Sequence, residues 1–198
     1  MRKITSVLVL LASAIPGLAV PPAPMPRRSP ELTIYEPSGK TTLLSAFRGK
    51  VVVIEFLFIA SPHCLRVAQT LNRLEQELGP GGLQSVAVAF PAPGSDANGP
   101  LVTYIVHDLK LTYPVGYTDS TSVDKYLERG RADVLNIPQV VVIDRSGMIR
   151  AQSGAKPGDP KLEDEASLRN LLAPLLKETP PSDNAAKTEP LATTRKTQ

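Results

Sequence analysis

The sequence has very little cysteine: among its 198 residues Cys64 is the single one, beside two histidines and no tryptophan. An intramolecular disulfide is therefore impossible, and a structural zinc site made of several thiolates is excluded. Clustered positive charge is also missing, since the formal net charge is +3 and no basic run is longer than two residues. We therefore expect no surface that binds nucleic acid, and neither a metal site nor a bound cofactor.

The first residues have the pattern of a secretory signal. Arg2 and Lys3 precede an apolar stretch, and small residues suit a cut after Ala19, which makes 1–19 a predicted signal peptide. The alternative is an uncleaved membrane anchor over Ile4–Val20. That stretch has only 17 residues and contains a proline, whereas a helix that spans a bilayer needs about 20 residues.

Two segments of unusual composition border one predicted domain over residues 31–177. Residues 20–30 are rich in proline, which removes hydrogen-bond donors and fixes φ, so we expect a linker without strand or helix. Residues 178–198 are polar with a single leucine, and we expect them to be disordered.

The hydrophobic pattern of this domain predicts the order β-α-β-α-β-α-β-β-α, and therefore an α/β domain with a mixed sheet. The first strand is a continuous apolar run, which is typical of a strand buried on both faces of a parallel sheet. The expected strands cover 51–59, 83–90, 113–117, 140–143 and 148–151, and the expected helices cover 62–78, 101–111, 122–128 and 162–176.

The helix after the first strand begins with Ser61-Pro62-His63-Cys64. Serine is a good N-cap and proline is favoured at the first helical position, so we expect Ser61 to cap this helix. Cys64 is then the third helical residue, where the helix dipole favours a thiolate. If Cys64 is functional, we expect it to be partly exposed, with a thiol pKa below its ordinary value of about 8.5. The alternative is a buried cysteine whose thiol has no reaction to perform.

Several motifs stand in an order that resembles the thioredoxin-like redoxins, and most closely the exported TlpA/ResA-type thiol–disulfide oxidoreductases. They are Phe47–Val51, the apolar strand, Ser61–Cys64, and Asn136-Ile137-Pro138, which resembles the loop that places a cis-proline beside the active site in that family. The resemblance covers 31–177 and implies a single thioredoxin-like domain with a central mixed sheet flanked by helices. It also implies a cis peptide bond before Pro138. The residues that it implies as shaping the site are Ser61, Pro62, His63, Ile137 and Pro138.

The sequence departs from this family at the first cysteine of the Cys-x-x-Cys pair, where Ser61 stands instead. Cys64 matches the second cysteine. A serine hydroxyl cannot form a disulfide, so dithiol cycling is not available within one chain. The resemblance therefore implies monothiol redox activity toward protein thiols or disulfides, in a periplasmic or extracellular compartment.

Glu55 interrupts the apolar strand six residues before Ser61. Related proteins carry a buried acid at this position that exchanges protons with the second cysteine, so the resemblance implies that Cys64 and Glu55 are catalytic. Burial penalises a carboxylate and should raise its pKa. The alternative is that the carboxylate reaches the sheet edge or meets Lys50.

Two other functions stay open. The spacing of Ser61 and Cys64 fits a peroxiredoxin that uses one cysteine, a peroxide and an external thiol. However, Leu57 stands where that family has a proline, and Pro138 where it has an arginine. A non-catalytic module would instead bind an extended peptide segment beside Pro138. His107 lies on a predicted helix and is expected at the surface.

Overall fold

The computed structural model describes residues 25–91, 97–130, 133, 135–154 and 161–180. The predicted signal peptide, residues 20–24 of the predicted linker and the tail after residue 180 lie outside these residues, so their assignments stay predictions. The strands are β1 (Arg27–Arg28), β2 (Thr33–Tyr35), β3 (Thr41–Leu43), β4 (Val51–Leu57), β5 (Leu83–Ala89), β6 (Val115–Tyr117), β7 (Gln139–Ile143) and β8 (Met148–Gln152). The helices are α1 (Pro62–Leu78), α2 (Gly99–Asp108), α3 (Ser120–Tyr126) and α4 (Glu165–Lys177), and 3-10 turns cover Leu44–Phe47 and Gly79–Gly81.

The described strands form one mixed sheet in the order β1-β8-β7-β4-β5-β6-β2-β3. β4 is parallel to β5, and β5 is parallel to β6. On its other side β4 pairs antiparallel with β7. The predicted α/β fold with a mixed sheet is therefore confirmed.

Every residue of β4 and β5 is buried, as expected for parallel strands with both faces covered. Alternate side chains of β4 enter two different hydrophobic clusters. One cluster, named here the helix-side cluster, contains Val53 and Leu57 and is covered by α1, α2 and α4. The other, named the strap-side cluster, contains Ile54 and Phe56 and is covered by α3 and by residues that precede β4. Because side chains alternate along a strand, Glu55 lies on the helix side.

The prediction that 20–30 contains no strand is wrong at Arg27 and Arg28. These residues pair antiparallel with Ile149 and Met148 at the edge of the sheet, and the backbone N–H of Ser29 donates to the carbonyl of Gly147 at 2.9 Å. Prolines lack a donor, but Arg27, Arg28 and Ser29 each have a backbone N–H, and the segment pairs with residues 147–149. The predicted linker therefore contains an ordered strand that composition alone does not reveal.

Other differences concern element boundaries. The last helix begins at Glu165 with Asp164 as its N-cap, not at residue 162, and the Asp164 carboxylate accepts from the backbone N–H of Ser167 at 2.9 Å. The short strands β1, β2 and β3 were not predicted. Two or three residues are too few to show the alternation on which a strand prediction depends.

Candidate functional site

The first turn of α1 has the capped geometry that its sequence predicts. Ser61 has extended backbone angles, φ −91° and ψ 112°, and Pro62 occupies the first helical position. The Ser61 hydroxyl oxygen accepts a hydrogen bond from the backbone N–H of Cys64 at 3.4 Å. Its role as N-cap is therefore confirmed, and it fixes Cys64 at the third position of the helix.

Cys64 has 0% of its surface exposed. Burial raises the pKa of its thiol, and the charge of Glu55 adds to that increase. Hydrogen bonds with the Ser61 hydroxyl and with backbone groups of Phe58 and Cys64 lower the thiol pKa but do not outweigh burial. The expectation of partial exposure and a lowered thiol pKa is therefore wrong. The penalty for placing a charge in a dry pocket exceeds the contribution of the helix end.

Glu55 also has 0% of its surface exposed. Neither carboxylate oxygen has a hydrogen-bond partner among the described residues. Burial raises the pKa of this carboxyl well above its ordinary value, because burial disfavours the charged form. The alternative contact with Lys50 is wrong, because that ammonium group donates instead to the side-chain oxygen of Gln84 at 2.8 Å.

The register of the sheet explains why the Glu55 carboxyl cannot reach solvent. Glu55 pairs with Ala87 of β5 on one side and with Val140 of β7 on the other. It therefore lies in the middle of the sheet, under α1, where the Cys64 thiol belongs to the same helix-side cluster. The fold thus brings together the two predicted catalytic residues, and their charges interact.

A buried tyrosine completes this pocket. Tyr113 is 5% exposed and belongs to the helix-side cluster, and its hydroxyl donates to the carbonyl of Ala68 in α1 at 3.0 Å. Burial raises the pKa of the phenol well above its ordinary value, and the charge of Glu55 raises it further. The sequence analysis missed Tyr113, because in sequence it looks like one more apolar residue of a short strand.

The predicted cis-proline lies at the same end of the sheet. The Ile137–Pro138 peptide bond is cis, as expected. Phe56 of β4 pairs with Gln139 of β7, so one position further along this register Pro138 lies opposite Leu57, where β4 leads into the loop before α1. The side chain of Ile137 packs against both hydrophobic clusters. The loop with Ile137 and Pro138 therefore borders the thiol pocket.

The histidines do not extend the site into a metal centre. His63 is exposed next to Cys64, and His107 is exposed on α2, in agreement with the surface position expected for it. Within the described ranges, no group of three or more His, Cys, Asp or Glu side chains could hold a metal ion. What the described residues offer chemically is one buried thiol and one buried carboxyl whose pKa is raised.

Comparison with known proteins agrees with this geometry. The family model named Redoxin matches residues 24–172. The chain belongs to the redoxin family. No curated protein sequence matches it significantly.

Solved structures show the thioredoxin-like fold of this redoxin. A protein from Chlorobium tepidum assigned as thiol:disulfide interchange protein DsbE is 20% identical, with 76% of this chain and 96% of that chain covered and a TM-score of 0.61. A protein from Bacteroides thetaiotaomicron assigned as a protein disulfide isomerase is 22% identical, with 78% and 91% covered and a TM-score of 0.62. A secreted Mycobacterium tuberculosis disulfide oxidoreductase homologous to Escherichia coli DsbE is 17% identical, with 73% and 96% covered and a TM-score of 0.55.

Of the described helices, none has both the length and the apolar character needed to cross a bilayer.

Proposed function

We propose that this redoxin is an exported monothiol redox protein, in which Cys64 exchanges with disulfides and Glu55 carries the proton of the thiol. The observation that supports this most is the burial of an unpartnered carboxyl in the pocket of the thiol. An unpartnered buried carboxyl destabilises a fold, and such strained acids are more frequent at functional sites than elsewhere. Export is supported by the signal pattern of residues 1–19.

The exchange needs no second cysteine in the chain. The Cys64 thiol attacks a partner disulfide R–S–S–R′, so that the bond Cys64–S–S–R forms and the S–S bond of the partner breaks. The proton leaves Cys64 through Glu55 and ends on the departing R′–SH. An external thiol R″–SH then attacks the mixed disulfide, releases R–S–S–R″ and returns a proton to Cys64. Net oxidation is zero, and the protein transfers a sulfur partner between thiols.

Glu55 is suited to this proton transfer because of the direction in which burial shifts its pKa. Burial raises the pKa of the Glu55 carboxyl from the acidic side, and proton transfer is most effective between groups whose pKa values lie near the working pH. The Cys64 thiol has no exposed surface through which water could take its proton. The neighbouring carboxylate is therefore the base available to it.

The surface beside the thiol supports a peptide-like partner. Pro62, His63 and Asn136 are exposed around the buried Cys64, and the loop before β7 ends at the cis bond to Pro138. Backbone groups at such an edge can pair with an extended segment. We therefore propose protein thiols and disulfides as the substrate class.

The test uses the chain from residue 20 onward and a small aromatic disulfide whose leaving thiolate is coloured. The native protein should release the coloured thiolate stoichiometrically and form a mixed disulfide at Cys64, and Cys64→Ala should release none. Glu55→Gln should react more slowly at neutral pH even though removal of its charge lets the thiol ionise more easily. This combination distinguishes a proton carrier from a simple electrostatic neighbour. Neither the native protein nor Cys64→Ala should reduce insulin catalytically.

A second candidate is the non-catalytic binding module, and the 0% exposure of Cys64 favours it. If the native protein does not react with the aromatic disulfide and Cys64 is modified only after unfolding, the thiol is a core residue. The surface around Pro138 would then bind an extended segment without covalent chemistry. Ser61→Cys is the matched variant for this test. It restores the first cysteine of the Cys-x-x-Cys pair at a position where the start of α1 and Glu55 are already in place.

A further inference from the structure

The N-terminal strand β1 carries a buried cation. The side chain of Arg27 is 9% exposed, and one guanidinium nitrogen lies 3.3 Å from the carboxylate of Glu128. Its other terminal nitrogen donates to the carbonyl of Tyr126 at 3.1 Å and to the side-chain oxygen of Gln152 at 2.9 Å. A charge at this depth needs such partners, so the position of Arg27 and that of the end of α3 depend on each other.

Tyr126 is held at both of its polar ends by this segment. Its hydroxyl is hydrogen-bonded to the hydroxyl of Ser29 at 2.8 Å, and its carbonyl accepts from Arg27. Between these ends the ring is 1% exposed and lies against the ring of Phe56, with centroids 5.3 Å apart. Movement of β1 and Ser29 would therefore release Tyr126 from two hydrogen bonds that define its position.

Tyr126 is linked to the thiol site by direct packing. Phe56 follows Glu55 in β4 and pairs with Gln139, the residue after the cis-proline. Leu135 and Ile137 pack against the strap-side cluster that contains Tyr126. Ile137 also packs against the helix-side cluster that contains Cys64. The loop 135–138 therefore lies between the cluster that contains Tyr126 and the cluster that contains Cys64.

We propose that Arg27 and Ser29 form a latch on Tyr126 that keeps the loop 135–138 closed over Cys64. Release of the latch opens this loop and gives partner molecules access to the thiol. The latch regulates the site of the proposed function and rests on it for its biological purpose. The latch controls the accessibility of Cys64, and this accessibility can be measured whether or not the thiol performs redox chemistry.

The experiment measures how fast iodoacetamide labels Cys64 in the folded chain from residue 20 onward, as urea is raised within the native range. Arg27→Met keeps the apolar stem but removes the charge and all its donors. It should raise the labelling rate without urea by about tenfold, with little dependence on urea, because the opening is local. Ser29→Ala removes one hydroxyl and should give a smaller increase in the same direction.

Two matched controls separate a latch from a general loss of stability. Lys40→Met removes an exposed cation that pairs with Glu36 at 3.4 Å, just before β3 at the other edge of the sheet, and should leave the labelling rate unchanged. Asp164→Ala removes the N-cap of α4, whose carboxylate accepts from the backbone N–H of Ser167 at 2.9 Å, on the side of the sheet opposite to Tyr126. In this variant Cys64 should be labelled only through global unfolding. The labelling rate should therefore rise in proportion to the equilibrium constant of unfolding and show the full urea dependence of unfolding.

The latch is overturned if Arg27→Met labels with the urea dependence of global unfolding, or if neither Arg27→Met nor Ser29→Ala labels faster than the parent. A failure of the proposed function looks different. In that case labelling of Arg27→Met is fast while no variant forms a mixed disulfide with the aromatic disulfide. The opposite pattern, a mixed disulfide in the parent and no effect of the latch variants, rejects the latch alone.

Discussion

Two buried carboxyl groups lie on opposite ends of the central strands, and their surroundings differ completely. Asp144, in the turn between β7 and β8, is 6% exposed. It accepts from the backbone N–H and the hydroxyl of Ser146 at 2.9 and 2.6 Å, from the N–H of Met148 at 3.0 Å and from Arg150 at 3.1 Å. Glu55 is 0% exposed and has no partner among the described residues.

For this reason the pKa values of the two carboxyl groups are shifted in opposite directions. Burial alone would raise the pKa of Asp144, but its hydrogen bonds with Ser146, Met148 and Arg150 outweigh burial and lower it. Burial raises the pKa of Glu55, and no hydrogen bond opposes it. Depth in the protein therefore does not determine what an acid does. Asp144 holds a turn together through its hydrogen bonds. The carboxyl oxygens of Glu55 have no hydrogen-bond partner among the described residues, so they are available to bind and release a proton, as a proton carrier must.

The largest expected effect is the loss of stability in Asp144→Ala. This substitution leaves two backbone N–H groups of the turn without their side-chain acceptor, and it leaves Arg150 with Glu178 as its remaining carboxylate partner. We expect the free energy of unfolding to fall by about 2–4 kcal/mol, because groups that lose a charged partner while buried pay their desolvation cost. Urea denaturation followed by circular dichroism measures it, and a loss below 0.5 kcal/mol, roughly the effect of an ordinary surface substitution, would show that the turn does not depend on this carboxylate.

Glu55→Leu should have the opposite sign. It replaces an unpartnered acid, surrounded by the helix-side cluster, with an apolar side chain of similar size, and should raise the free energy of unfolding by about 1–2 kcal/mol. The same variant should no longer form the mixed disulfide at neutral pH. A destabilised Glu55→Leu would mean that the carboxyl is held by interactions that favour it, and the comparison with Asp144 would lose its basis.

The pH dependence of stability should separate the two acids more finely. The folded chain keeps the proton of Glu55 above the ordinary pKa of 4.5, while the unfolded chain releases it. The parent therefore loses stability relative to Glu55→Gln as pH rises from 4.5 to the pKa of Glu55 in the folded state, and the difference is constant above it. Asp144 contributes stability above its ordinary pKa of 3.8, and this contribution is lost as pH falls through its lower folded pKa.

Urea denaturation of the parent, Glu55→Gln and Asp144→Asn over a series of pH values measures these differences. For each variant, the difference in the free energy of unfolding between the parent and the variant is plotted against pH. Two such curves with slopes of opposite sign support the account. Parallel curves for the two variants would contradict it, because they would mean that both carboxyls have the same kind of environment.

Much of the fold around the site could be predicted from sequence because its signals are local. The apolar run that forms β4, the serine and proline at the start of α1, and the Asn136-Ile137-Pro138 loop each carry their structural consequence within a few residues. The position of Glu55 under α1 follows from the same local reasoning, since alternation along β4 determines which face it occupies.

The features that could not be predicted depend on distant residues. The exposure of Cys64 is set by what covers it from other parts of the chain, including Ile137 and the helix-side cluster. Arg27 precedes its partner Tyr126 by 99 residues, so composition made the proline-rich segment look like a free linker. Local patterns report backbone preference, but burial and hydrogen-bond partners are properties of the assembled sheet.

The account centres on the claim that Glu55 and Cys64 form a coupled pair in a dry pocket, and an equilibrium titration of the thiol tests it most directly. The ultraviolet absorbance of the thiolate, with Cys64→Ala as the blank, gives the thiol pKa in the parent and in Glu55→Gln. We predict a parent thiol pKa above its ordinary value of 9.0, because burial dominates and the charge of Glu55 adds to it, and a lower thiol pKa in Glu55→Gln. A parent thiol pKa below the ordinary value, or the same thiol pKa in both proteins, would contradict the account.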